Sequence, residues 1–155
     1  MAKIIIIDLD THQGNGTAKI FEGEPRVFTL SMHGRNNYPF HKEKSDWDIE
    51  LEDGTSDESY LGLLQQALHT SIEKLRPDFA FFLSGVDVLS TDMFGKLNIS
   101  MEGCRKRDEM VFTVLKQTNI PVTVAMGGGY SHQVKTIVEA HCQTFRLAKE
   151  LYGLS

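Results

Sequence analysis

The run Ile4-Ile5-Ile6-Ile7 restricts this chain more than any other stretch. Four isoleucines are too few to cross a membrane and too β-branched for a good helix interior, so they predict a strand buried on both faces. Polar residues then arrive together, as Asp8-Leu9-Asp10-Thr11-His12-Gln13-Gly14-Asn15-Gly16-Thr17. The two-residue period of extended chain puts Asp8, Asp10 and His12 on one side. Carboxylates and an imidazole crowded there favour a cation among them, and their oxygen and nitrogen donors suit zinc or a similar first-row ion with a position left for water. The plainer alternative is a strand-end aspartate that caps a helix, with His12 an ordinary loop residue. Gly14 and Gly16 allow positive φ and close backbone approach, so a sharp turn is expected there.

The 155 residues suit one domain spanning 1–155. A formal charge of −5 argues against a sequence-independent nucleic-acid binder, and the isoleucine run, broken by Asp8, argues against a membrane span. Cys104 and Cys142 form no CxxC pair, and with no leader evident the expectation is a reduced, cytoplasmic compartment.

Further along, Ala18 to Pro25 reads as a loop and Arg26 to Met32 as a second strand ending at His33-Gly34. An irregular loop with Tyr38 and Phe40 follows, which either walls a pocket or packs down. Trp47, Ile49 and Leu51 alternate as a short strand, and Asp53-Gly54 marks a turn. A helix capped by Ser56 or Asp57 carries Tyr60, Leu64, Leu68 and Ile72 inward and stops at Pro77. Phe79 to Leu83 is a third apolar strand whose end turns polar at Ser84-Gly85-Val86-Asp87. Binding groups gather beyond the carboxyl ends of parallel strands at a switch in strand order, so Asp87 is placed to complete a site with Asp10 and His12. A helix over 102–118, a strand from Pro121 to Met126 and a helix over 133–151 close the chain. Between the last two, Gly127-Gly128-Gly129 lets backbone amides approach a ligand. Phosphate is one candidate, although the loop lacks the Lys and Ser/Thr of a P-loop. Tyr130 either donates to a developing oxyanion or packs at the helix start.

With these residues assembled, the sequence resembles the zinc-dependent histone deacetylase and acetylpolyamine amidohydrolase family, in its bacterial, class IV-like branch. The resemblance is carried by Asp8-x-Asp10-x-His12-x-Gly14-Asn15-Gly16, Ser31-x-His33, Gly85-Val86-Asp87 and Gly127-Gly128-Gly129-Tyr130. It implies an α/β fold, three-layer αβα with a mostly parallel sheet, like the carboxyl-terminal half of the arginase/deacetylase fold. The implied strand order, by first residue, is 121, 79, 4, 26 and the short strand near 47. It also implies zinc on Asp10, His12 and Asp87, carbonyl polarisation by Tyr130, orientation of a catalytic histidine by Asp8, and an acyl-lysine channel lined by Gly127, Gly128 and Gly129. A structural potassium ion would use carbonyls of Asp8, Asp10, His12 and Met32 with side-chain oxygens of Asp8 and Ser31. A second monovalent site would lie around Phe21 and Val27.

The implied substrates are acylated lysine or polyamine. The family's general base is a His-His pair carried by an upstream half, and this sequence contains no His-His. The resemblance therefore implies a carboxyl-terminal half, with hydrolysis incomplete without the amino-terminal half, which a separate chain supplies or truncation has removed. His33 is the nearest substitute base, though the resemblance puts it behind the metal in a structural role. A non-catalytic, metal-stabilised binding or scaffold module, dimeric through the bare sheet edge, is the other functional expectation.

Overall fold

The computed structural model describes residues 2–153, so the outermost residues of the expected 1–155 domain, 1, 154 and 155, lie outside it. Its elements run β1 (Ile4–Asp8), α1 (Asn15–Ile20), β2 (Val27–Gly34), β3 (Trp47–Leu51), α2 (Asp57–Leu75), β4 (Phe79–Ser84), α3 (Met101–Gln117), β5 (Val122–Met126) and α4 (Val134–Tyr152). The five strands form one sheet in the order β3-β2-β1-β4-β5, the order implied above. Every pairing among them is parallel, not merely most.

Parallel neighbours need crossover connections, and crossovers are right-handed. The chain steps from β1 outward to β2 and β3, then returns to β4 on the other side of β1 and continues to β5. This reversal puts α1 on the face opposite α2 and α3. The α2–α4 face is the main core: Ile5, Ile7, Leu30, Met32, Ala80 and Phe82 point into it from the strands and meet Leu64, Leu68, Val111, Phe112 and Leu115. Phe82 meets the Phe112 ring edge-on at a centroid distance of 5.8 Å. The opposite face is covered more thinly. Ile6 is buried there, while Phe81, two strand positions from Phe79, is 41% exposed.

Three expectations change. The stretch from Ala18 is not all loop, because α1 continues to Ile20; its six residues include Gly16 and show no apolar period, so the hydrophobic pattern carries no signal for it. The second strand starts one residue later than expected and runs through His33 and Gly34. Gly14 and Gly16 do not have positive φ, which occurs among the glycines only at Gly23, Gly54 and Gly153. What Gly14 supplies is room: a Cβ there would stand 2.2 Å from Asp8 Oδ2.

Candidate metal centre

Strand β1 ends at Asp8, and residues 10–12 bend away from the extended path. The period-two alternation therefore lapses where the polar residues begin, and Asp8 parts from the other two. Its buried carboxylate accepts the Asp10 amide at 3.2 Å and lies against Gly14. Burial, above all, raises its pKa to about 7, with the neighbouring Asp10 and Asp87 charges adding to the effect.

Asp10 and His12 turn instead toward Asp87, beyond the end of β4. Nδ1 of His12 lies 3.0 Å from Asp10 Oδ1 and 3.0 Å from Asp87 Oδ2. One donor atom from each residue falls within 4.8 Å of the others, the spacing of ligands around a single ion. The remaining lone pairs are held in place: the Thr11 amide donates to Asp87 Oδ1 at 3.0 Å and the Gly128 amide to Asp10 Oδ2 at 2.8 Å.

The electrostatics invite a cation. Asp10 first, then Asp87, raise the His12 pKa to about 10, so the two carboxylates stabilise positive charge at the imidazole. Burial pushes Asp10 up, yet the hydrogen bonds to it from His12 and its other neighbours outweigh that and hold it below the ordinary carboxylate range. Burial pushes Asp87 upward. Two carboxylates and one imidazole in an open triangle fit a first-row divalent ion by donor chemistry, and the glycine loop fits it by shape. A Cβ on Gly128 would stand 2.1 Å from Asp87 Oδ2, and one on Gly127 would stand 2.8 Å from Asp10 Oδ2.

The three residues lie at the floor of a cavity of about 700 Å³. Its wall comes from Asn36, Asn37, Tyr38 and Phe40 on the β2–β3 loop, from Phe94 and Lys96 after β4, and from Tyr130. The loop aromatics therefore wall a pocket and are not packed down; Phe40 is 81% exposed. Tyr130 is half exposed, its ring edge-to-face with Phe94 at 5.3 Å and its amide fixed by Asp92 Oδ2 at 2.6 Å.

Ser31 pairs with Asp8 across β1 and β2, and buried Met32 follows it, so these three residues of the implied potassium site are neighbours. Phe21 caps the end of α1, and Val27 opens β2 nearby through Glu24. His33 is fully buried, with Nδ1 2.9 Å from Ser31 Oγ, and burial lowers its pKa.

Sequence reasoning missed Gln13. Its side-chain amide donates to the Glu43 carbonyl at 2.7 Å and to Asp48 at 2.9 Å, and its oxygen accepts the Glu43 amide, tying the cavity loop to the ligand segment. It also missed Arg107 and Asp108, both buried beneath the site. A signal for them existed, since they fall on the inward stripe of α3 between Cys104 and Val111.

A parallel α/β sheet with an Asp-His-Asp cluster at its switch in strand order defines an α/β protein with a candidate metal centre. Residues 1–145 match the histone deacetylase domain, and the chain belongs to the histone deacetylase family. It is 38% identical over 150 residues to an uncharacterised protein of Picosynechococcus sp., covering 97% of this chain and 50% of that one. It is 35% identical over 133 residues to histone deacetylase 2 of Arabidopsis thaliana, covering 84% and 34% of the two chains. The chain thus spans half the length of the first relative and about a third of the second. The crystal structure of acetylpolyamine aminohydrolase from Burkholderia pseudomallei superposes with a TM-score of 0.82 at 20% identity, over 97% of this chain and 46% of that one. The fold is accordingly the three-layer α/β arrangement of the arginase/deacetylase type.

Proposed function

We propose that Asp10, His12 and Asp87 hold a zinc ion, or another divalent first-row metal, and that the chain supplies the metal and oxyanion side of a hydrolase of acetyl-lysine or acetylpolyamine amides. The observation that carries this reading is the convergence of the three ligand atoms within 4.8 Å at the floor of a cavity that Tyr130 borders. A bound ion of this kind polarises an acyl carbonyl and lowers the pKa of a coordinated water.

The chain's own residues divide the remaining work. Tyr130 would donate its phenol to the developing oxyanion, with Phe94 bracing the ring. Gly127, Gly128 and Gly129 keep the floor free of side chains along the acyl-lysine channel. Asp8 would orient a histidine supplied from elsewhere, and with Ser31, Met32 and the carbonyls of residues 8, 10 and 12 would hold a structural potassium ion.

Proton removal is the part without an owner. Among the described residues, the cavity lining beyond the ligands offers amides, aromatic side chains, Lys96 and Tyr130, and neither an imidazole nor a further carboxylate. Buried His33 lies outside that lining. A base would come from an amino-terminal half, and the edge of β5, which among the described residues pairs only with β4 and exposes Thr123, Ala125 and Met126, is where its sheet would continue. The exposed edge itself favours a second reading, a metal-stabilised binding module that dimerises through it.

The test is hydrolysis of an acetyl-lysine peptide and an acetylpolyamine by the zinc-loaded chain, alone and mixed with a separately expressed amino-terminal half of a related deacetylase. Little turnover alone and a gain on mixing is expected. Turnover by the chain alone at about 1 s⁻¹ or more, unaffected by His33→Ala, would refute the missing-base argument, and no gain on mixing would favour the binding module.

A further inference from the structure

Helix α3 presents Cys104, Val111, Phe112 and Leu115 to the core, and in the middle of that apolar stripe it buries Arg107 and Asp108 completely. A buried ion pair is poor value for stability alone, because desolvating both charges offsets most of their attraction. What Arg107 touches gives it another purpose. Its Nε donates to Asp108 Oδ1 at 2.8 Å and its Nη2 to Ser84 Oγ at 3.0 Å. Its Nη1 reaches two main-chain carbonyls, that of Leu9 at 3.3 Å and that of Gly85. Asp108 is steadied from α4, where Thr144 Oγ1 donates to Oδ2 at 2.6 Å.

Those carbonyls belong to the two segments that carry the ligands. Leu9 immediately precedes Asp10, and Gly85 lies two residues before Asp87. Both segments have just left the sheet: the Leu9 amide still bonds to the Leu83 carbonyl, but the Gly85 carbonyl lies past the end of β4. At that point the ladder no longer fixes one strand end against the other. We propose that Arg107 is a positioning residue for the metal centre, its guanidinium stapling the ends of β1 and β4 so that Asp10 and His12 stay in register with Asp87. The planar fork suits the task, since its donors point to acceptors on β1, β4 and α3 at once. An ammonium at the same place is a single point with three donors and cannot span them.

The inference rests on the metal reading above, and the experiment separates the two. Zinc affinity is measured by competition with a chromophoric chelator, and the visible spectrum of the cobalt-loaded chain reports coordination geometry. Arg107→Lys keeps the charge beside Asp108. It is expected to bind zinc at least about tenfold more weakly and to shift the cobalt bands, with the far-ultraviolet circular dichroism of the unsubstituted chain. Leu115→Ala, on the same buried stripe, lowers the melting temperature without touching the staple; its zinc affinity is expected within about twofold of the unsubstituted chain and its cobalt spectrum unchanged.

Unsubstituted zinc affinity and cobalt spectrum in Arg107→Lys overturn the positioning role alone, as does an equal loss in Leu115→Ala. Failure of the unsubstituted chain to bind either ion overturns the metal reading and this one with it. If Arg107→Lys does not fold, Thr144→Val carries the test: it preserves shape, removes the 2.6 Å hydrogen bond to Asp108 Oδ2 and is expected to weaken zinc binding several-fold. Unchanged affinity in that variant overturns the proposal.

Discussion

Replacing Gly128 by alanine should damage the metal centre while leaving the fold intact. The added Cβ would stand 2.1 Å from Asp87 Oδ2, 2.8 Å from Asp87 Cγ and 3.2 Å from Asp10 Oδ2. Restoring ordinary contact requires a retreat on the order of 1 Å. The carboxylate has little freedom to make it, because Asp87 is fully buried and its other oxygen takes the Thr11 amide at 3.0 Å. If the partly exposed glycine loop moves instead, the Gly128 amide leaves Asp10 Oδ2, which it now reaches at 2.8 Å. Either response displaces a ligand by far more than the roughly 0.2 Å that metal bonds tolerate. Zinc affinity is therefore expected to fall about 10- to 100-fold, or roughly 1.4–2.8 kcal/mol. The assay is chelator competition at fixed pH, with the metal-free melting temperature measured alongside. Gly62→Ala is the control, since nothing lies within 4 Å of a Cβ there in the middle of α2. It should raise stability by about 0.5–1 kcal/mol and leave zinc affinity alone. Zinc affinity in Gly128→Ala within about threefold of the unsubstituted chain would mean that the glycine is not there to admit the ligands.

Phe112→Ala removes a fully buried ring that meets Phe82 at 5.8 Å and Tyr152 at 6.1 Å; a loss of about 3–5 kcal/mol is expected in denaturant unfolding, and a loss below about 1 kcal/mol would show that the core closes around the gap. His141 is buried, and burial first, then the Arg107 charge, lowers its pKa, with Asp108 opposing. Its folded pKa thus lies below the unfolded value of about 6.5, so the unfolded chain binds the proton more readily and stability falls as pH drops below about 6.5 toward the folded pKa. His141→Gln should therefore narrow the gap between melting temperatures at pH 8 and pH 5, and an unchanged gap would remove His141 from the acid response.

Most of the sheet was legible because its strands advertise themselves. The isoleucine run, the Phe79–Leu83 run and the alternation of Trp47, Ile49 and Leu51 each became the strand they predicted. The long helices were legible from apolar spacing, with Arg76 in the left-handed conformation closing α2 just before Pro77. The site was legible in its residues but not in its local geometry. Period-two alternation predicts one face for Asp8, Asp10 and His12, whereas the strand stops at Asp8 and bonds from the His12 and Gly128 amides decide where the Asp10 carboxylate points. The close approach expected at Gly14 and Gly128 is what the structure uses, with Gly85 beside them, and the positive φ expected at Gly14 and Gly16 is absent. Arg107 and Asp108 escaped because charged residues are presumed solvated, and only their place in the α3 period betrays them.

How two segments so far apart in sequence meet with the tolerance a metal demands follows from the register of one strand pair. Strands β1 and β4 pair Ile4 with Phe79 and Asp8 with Leu83, a constant offset of 75 residues. Just past the strand ends, where the ladder stops, Gly85 still lies against Asp10 and His12 meets Asp87, whose Nδ1 and Oδ2 atoms are 3.0 Å apart. Gly85 is then obligatory, since a Cβ there would stand 2.7 Å from the Asp10 Cα. A slip of one residue would carry Asp87 about 3.3 Å along the strand and turn β4 to its other face, sending Ala80 and Phe82 out of the core. The hydrophobic pattern that fixes β1 against β4 therefore also brings the two ligand segments to neighbouring strand ends. Burial of Ile5 and Ile7 against the helices is, in this sense, part of the metal centre.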